Sequence, residues 1–245
     1  MKVSCICPTW NRPGWLEECI ESFHRQDYQG EKELIVINDC PDRELIYNHP
    51  EVRIVNLKKK YLTLGQKYND AFFNMAAGDI ITPWEDNDIF LPHKISHGIN
   101  AMQSGGLDYY KMPFAYFWNY GRIDEISNNL FWCAAFYTKR LLKKLGGCSN
   151  QANAAADQSI ENRISANSDS FTVDNDPRKK SLAYYIYRWG GIRTHISGIP
   201  ESPENMVRFQ ELNAANMRTG LIELRPHWET DYVELCAKFR RENGI

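Results

Sequence analysis

The chain has 245 residues, of which 43% are hydrophobic and 24% charged, and its formal net charge is -2. That composition describes a globular protein large enough to bury a sizeable core. It excludes a disordered or acidic-tailed chain, and it excludes binding of nucleic acid through bulk positive charge.

Residues 2–7, "KVSCIC", form a short apolar run stopped by Pro8 and read as a buried strand rather than a signal peptide, because the stretch is short and the proline interrupts it. Over 15–26, Leu16, Cys19, Ile20 and Phe23 recur at spacings of three and four, which predicts an amphipathic helix prepared by "NRPG". "ELIVIN" (33–38) and "VRIVNL" (52–57) are further strands. "LGQKYNDAFFNMAAGD" reads as a helix closed by Gly78, and "IITPW" as a fourth strand that leads into the acidic run "EDND" at 85–88. Strands alternating with helices predict right-handed βαβ units and a parallel sheet.

The second half changes character. "YYKMPFAYFWNYGRI" and "NNLFWCAAFYTKR" are aromatic-rich extended stretches, followed by short helices around "RLLKKLG" and "DQSIENRIS". "GCSNQANAAADQ" reads as a mobile loop. No linker or repeat divides the chain, so residues 1–245 are expected to form one domain. Its sites are expected to divide between 1–100 and 101–245.

The short basic clusters at 58–60, 139–140 and 178–180 read as solvated caps. Seven cysteines lack CxxC or metal-ligand spacing and several fall in apolar runs, which fits a reducing cytoplasm. No run of about 18 apolar residues is present, so no membrane span is expected.

Ligands of such sheets bind beyond the carboxyl ends of the strands, which gathers Pro8 to Arg12, Asp39 and the acidic run on one rim. Clustered carboxylates repel one another unless a cation or a helix N-terminus compensates them. Two readings stand: Asp86 to Asp88 cap a helix beginning near Leu91, or they hold a hard divalent ion with oxygen ligands.

The stretches "CICPTWNRPGWLEECIESFHRQ", "ELIVIND" and "GDIITPWEDNDIFLP" together resemble family 2 glycosyltransferases of the GT-A fold over roughly the first hundred residues. The resemblance implies an α/β fold with a Rossmann-like, mostly parallel sheet flanked by helices and a smaller mixed or antiparallel acceptor-side region. It implies inverting transfer of a sugar from a nucleotide-sugar, a UDP-sugar foremost, to a glycan or other small-molecule acceptor, with Mn²⁺ or Mg²⁺. Pro8, Thr9 and Arg12 would then line the nucleotide pocket, and Asp39 would bond the base or ribose. Lys67 and Asn69 would meet the diphosphate or sugar, and Asp86 and Asp88 would sit at the metal and donor sugar. Asn87 stands where many members carry a metal-binding aspartate, and Glu85 stands at the first position of the run. Asp157, after "GG" and at a helix start, would be the catalytic base, with Glu161 as fallback and a helix N-cap as its competing role. His195 resembles the late histidine that completes a metal or diphosphate site, with Arg188 and Trp189 in the same wall. Tyr116, Trp118, Tyr120 and Trp132 are either sugar-stacking surfaces or core. A nucleotidyltransferase lacks support, since "PTWNRPG" stands where its glycine-rich basic loop belongs. A non-catalytic sugar-nucleotide or glycan-binding module, and a transferase acting on modified nucleic-acid bases, stay as alternatives; nucleic acid is not expected as a partner, because the near-neutral charge predicts no basic groove.

Overall fold

The structure, a computed structural model, describes residues 1–119, 122–128, 131–151, 156–167, 171–173, 176–189 and 219–245. The first half runs β1 (Val3–Thr9), α1 (Pro13–His24), β2 (Lys32–Asn38), β3 (Arg43–Ile46), β4 (Val52–Asn56), α2 (Leu64–Asp70), β5 (Ile80–Pro83) and β6 (Ile89–Phe90). It continues through α3 (Lys94–Gly105), β7 (Tyr109–Lys111), β8 (Ala115–Asn119), β9 (Arg122–Ser127), β10 (Ala135–Thr138), α4 (Lys139–Leu145), α5 (Ala156–Asn167) and β11 (Phe171–Val173). The described chain closes with β12 (Tyr185–Trp189), β13 (Gly220–Glu223) and α6 (Tyr232–Asn243).

One seven-stranded sheet takes strands from both halves in the order β11-β7-β10-β5-β1-β2-β4. The neighbours β5, β1, β2 and β4 are parallel, and β10 enters antiparallel between β5 and β7. Its central strands are continuous apolar runs because both faces are covered. Val3, Cys5, Cys7, Leu34 and Val36 face one core with Leu16, Cys19, Ile20 and Phe23 of α1. Ile6, Ile35, Ile37 and Ile81 face a second core with Tyr68, Phe72 and Tyr137. A four-stranded sheet, β6-β12-β8-β9, forms from the aromatic stretches, and β13 pairs with β3.

Several boundaries differ from expectation for local reasons. Helix α1 begins at Pro13, two residues early, because proline fits the first helical turn. The helix expected to end at Gly78 stops sooner: after Asp70 it widens into one π turn, Ala71–Met75, and Ala76 is already extended. Gly78 is needed for closeness rather than as a cap, since a Cβ there would lie 2.7 Å from the backbone nitrogen of Ser4. Strand β6 separates Asp88 from α3, which begins only at Lys94, so the acidic run does not cap that helix. All seven cysteines are buried and unbridged. No helix among the described residues is long and apolar enough to cross a membrane.

Two buried cations tie the layers together. Lys94 Nζ donates to the carbonyl of Pro83 at 2.9 Å and lies 4.3 Å from the Trp84 ring and 3.9 Å from that of Phe90. Arg188 on β12 pairs with Glu18 on α1, and Tyr232 of α6 donates to the same carboxylate at 2.7 Å. Trp228 Nε1 donates to the carbonyl of Glu18, and Arg225 N donates to Glu17 Oε1, so the C-terminal segment is fastened along α1.

Burial pulls the Lys94 ammonium from its ordinary 10.5 down to about 8. Between those values the unfolded chain holds a proton that the folded chain has released, so stability rises with pH across that window. Denaturation at about pH 7 and about pH 10 is expected to show Lys94→Met losing this gain of about 3 kcal/mol relative to wild type; parallel curves would contradict it. Glu18→Ala leaves Arg188 buried without its carboxylate and is expected to cost about 3–5 kcal/mol in the same assay, whereas a loss under about 1 kcal/mol would mean the pair carries little.

Candidate active site

The carboxyl ends of β1, β2 and β5 bring three acidic positions to one rim. The register opposite Thr9 is Asn38, so Asp39 follows directly beside the end of β1. Lys67, on the buried side of α2, donates from Nζ to Asp39 Oδ1 at 2.7 Å and to the Thr9 carbonyl at 2.8 Å. Burial lowers the Lys67 pKa, and Asp39 opposes that shift. The second oxygen of Asp39 accepts the backbone N–H of Tyr61 at 3.1 Å.

Asp86 is held from the other side of Thr9. Its Oδ2 accepts the Thr9 hydroxyl at 2.7 Å, and its Oδ1 accepts Arg12 Nη1 at 2.9 Å. Thr9 thus joins both acids, its carbonyl to the Lys67–Asp39 pair and its hydroxyl to Asp86. Pro8 precedes it at partial exposure. Asn11, at φ 64°, keeps both carboxamide atoms buried without a hydrogen-bond partner. Trp10 is exposed on the rim, with Lys60 Nζ 4.5 Å above its ring.

Asp88 turns inward. Tyr185 donates to its Oδ2 at 2.5 Å and the Arg188 backbone N–H to its Oδ1 at 3.0 Å, while Arg188 Nε reaches the Asn87 carbonyl at 2.5 Å. Burial pushes the Asp88 carboxyl up to about 6 in spite of these donors. Glu85, Asp88 and Cys133 present ligand atoms within 4.8 Å of one another. Their chemistry suits a hard divalent ion in part. The two carboxylates supply the oxygen ligands, whereas burial pushes the Cys133 thiol well above its ordinary range and leaves a neutral, soft sulfur. Of the residues expected at a metal, Asp88 falls in this group, Asp86 is engaged by Thr9 and Arg12, Asn87 is buried alongside, and His195 lies outside the described residues.

The other expected site residues have partners of their own or lie outside the described residues. Asn69 bonds the backbone of Cys148. Glu161, the fallback base, pairs with Lys111 at 2.6 Å and accepts from Tyr109 at 3.1 Å. Asp157 is the second residue of α5, and the described structure does not extend to its side chain or that of Trp189. Tyr116 and Trp132 are core residues, Trp118 packs on the core edge, and Tyr120 lies outside the described residues. Glu18, Tyr185 and Tyr232 were not singled out by sequence, although they fix Arg188 and Asp88. Glu18 carried no signal of this role: on α1 it stands roughly opposite the stripe of Leu16, Cys19 and Ile20, and it is the C-terminal segment, through Trp228 and Tyr232, that meets it there.

Among solved structures, the chain is similar to S. aureus TarS 1-349 in complex with UDP-GlcNAc, with TM-score 0.64 and 18% identity over 88% of this chain and 66% of that one. It is similar to S. aureus TarS at TM-score 0.60 and 18% identity, covering 88% of this chain and 39% of that one. The mannosyltransferase PcManGT from Pyrobaculum calidifontis, in complex with GDP-Man and Mn²⁺, matches at TM-score 0.54 and 13% identity, over 89% and 65% of the two chains. The chain therefore spans just under two thirds of the TarS 1-349 chain and well under half of the TarS structure. No curated protein matches it. At these identities the structural likeness establishes a GT-A fold, and the match to Glycosyl transferase family 2 over residues 4–158, more than half the sequence, establishes the family: the chain belongs to glycosyl transferase family 2.

Proposed function

We propose that the protein transfers a sugar from a nucleotide-sugar, a UDP-sugar, to a hydroxyl of a glycan or other small acceptor, with inversion at the anomeric carbon. The observation that carries this reading is the convergence of Thr9, Arg12, Asp39, Lys67 and Asp86 at the ends of parallel strands. The similar structures that hold UDP-GlcNAc or GDP-Man support it by analogy. Seven buried, unbridged cysteines fit a reducing compartment, the cytoplasm.

Asp39 and the Thr9 backbone, held by Lys67, orient the base and ribose. Arg12 offers its guanidinium to the diphosphate, sharing it with Asp86, and Asp86 faces the donor sugar. Glu85 and Asp88 are the residues that would hold the ion. When bound, Mn²⁺ or Mg²⁺ supplies Lewis-acid stabilisation of the charge on the departing nucleotide. Asp157, at the start of α5, takes the proton of the acceptor hydroxyl as the sugar carbon is attacked.

A second reading, a non-catalytic sugar-nucleotide or glycan-binding module, draws on one observation: the acidic run carries an amide at Asn87 while Asp86 is engaged by Arg12. Release of free sugar from a UDP-sugar, even slow, would count against that module.

Asp157→Asn is expected to keep nucleotide affinity within about twofold while transfer falls by about 10²–10⁴. Asp86→Ala is expected to weaken donor binding by about tenfold or more, a change of about 1.4 kcal/mol. Calorimetry for binding and product analysis for transfer check both. Normal transfer by Asp157→Asn would remove the base assignment, and unchanged donor affinity in Asp86→Ala would move the donor elsewhere.

A further inference from the structure

The segment from Leu145 to Asn150 is gripped by two helices at once. From α2, Asn69 treats Cys148 as a strand neighbour would: its Nδ2 donates to the Cys148 carbonyl at 2.8 Å and its Oδ1 accepts the Cys148 N–H at 2.7 Å. The same Nδ2 reaches Asn150 Oδ1 at 2.8 Å, and the hydroxyl of Thr63, the N-cap of α2, donates to the Asn150 carbonyl at 2.7 Å. Gly147 makes the approach possible. It sits at φ +70°, and a Cβ there would lie 2.1 Å from Asn69 Oδ1.

From α5, Arg163 donates to the carbonyls of Leu145 and Gly147 and, within its own helix, to that of Ser159. Ser159 ties the first turn of α5 to the same segment: its Oγ accepts the Ser149 N–H at 2.9 Å and donates to the Ala156 carbonyl at 2.6 Å. Helix α2 carries Lys67 into the Asp39 and Thr9 pocket two residues before Asn69, and α5 carries Asp157 one residue after Ala156.

We infer that Asn69, Gly147 and Ser159 form a brace that fixes the first turn of α5 against α2, and so sets the position of the base at Asp157 relative to the bound donor. Asn69 is a positioning residue rather than a contact to the diphosphate or sugar. Its carboxamide is spent on the brace, while Lys67 on the same helix serves the pocket. This inference rests on the transferase reading and on Asp157 as base. Displacement of a catalytic group by about 1 Å costs on the order of 10²-fold in rate, so loosening the brace acts on turnover rather than on donor affinity.

The test compares wild type, Asn69→Ala and the milder Ser159→Ala, each alone and combined with Asp157→Asn, by UDP calorimetry and by kcat for transfer. Asn69→Ala is expected to lower kcat by about 10- to 100-fold with UDP Kd within about twofold, and Ser159→Ala to lower it less. Neither is expected to lower it further in the Asp157→Asn background, because a brace has nothing to position once the base is gone. A parallel loss of UDP affinity would make Asn69 a donor contact and overturn the inference. An undiminished kcat in both variants, or a loss that adds fully to that of Asp157→Asn as a general structural defect would, overturns it too. A wild-type protein that binds no UDP overturns the transferase reading itself, and the inference with it, in an experiment that involves no variant.

Discussion

Three carboxylates, Asp39, Asp86 and Asp88, lie buried at the ends of the strands, and both halves of the molecule are arranged to compensate them. Buried charge is tolerated only where it is paired and hydrogen-bonded, and each acid has its own device. Lys67 reaches Asp39 from α2, Arg12 reaches Asp86 from the loop after β1, and β12 brings Tyr185 and the Arg188 backbone to Asp88. The devices come from different parts of the chain, so the site exists only when the central sheet, the aromatic sheet and α2 are all in place.

That arrangement divides the acidic run into two working directions. Asp86 points toward the loop between β1 and α1 and shares it with a cation able to meet an anionic diphosphate. Asp88 points toward β12 and stands near Glu85, where a divalent ion would find oxygen ligands. Residues 85–88 form a turn between β5 and β6, with the Asp88 N–H directed at the Glu85 carbonyl at 3.4 Å, and the turn lets Asp86 and Asp88 point different ways where an extended strand would set them on one face. Arg188 then carries the position of the inner acid outward to α1 and α6 through Glu18 and Tyr232, and the C-terminal segment becomes part of the scaffold for the site. Residues 148–150, after α4, link α5 to the helix that supplies Lys67.

Much of this was legible in the sequence where a residue pattern had one physical solution. The apolar runs at 2–7, 33–38 and 52–57 are too short for core helices and appear as β1, β2 and β4. The stripe Leu16, Cys19, Ile20 and Phe23 has helical period and appears fully buried on α1. An acidic run at a strand end is costly enough to mark a site. Short elements were not legible: β3 and β13 are four residues each, with two exposed in β3 and three in β13, and β6 is two residues, so their existence depends on partners distant in sequence. The direction of Asn69 was also out of reach, because neighbours two residues apart on a helix face different ways, and Lys67 and Asn69 are separated by that spacing. Gly78 looked like a helix cap because glycine commonly is one, yet here it answers to the closeness of Ser4.

The proposed transfer requires the rim formed by Thr9, Arg12, Asp39, Lys67 and Asp86 to be a nucleotide-sugar site. Calorimetric titration of UDP and GDP, with and without Mn²⁺, against wild type and Asp39→Ala tests it most directly. UDP is expected to bind, more tightly with Mn²⁺, and to lose all or most of its affinity in Asp39→Ala. Binding that ignores Asp39→Ala, or no binding of either nucleotide under any of these conditions, would contradict it.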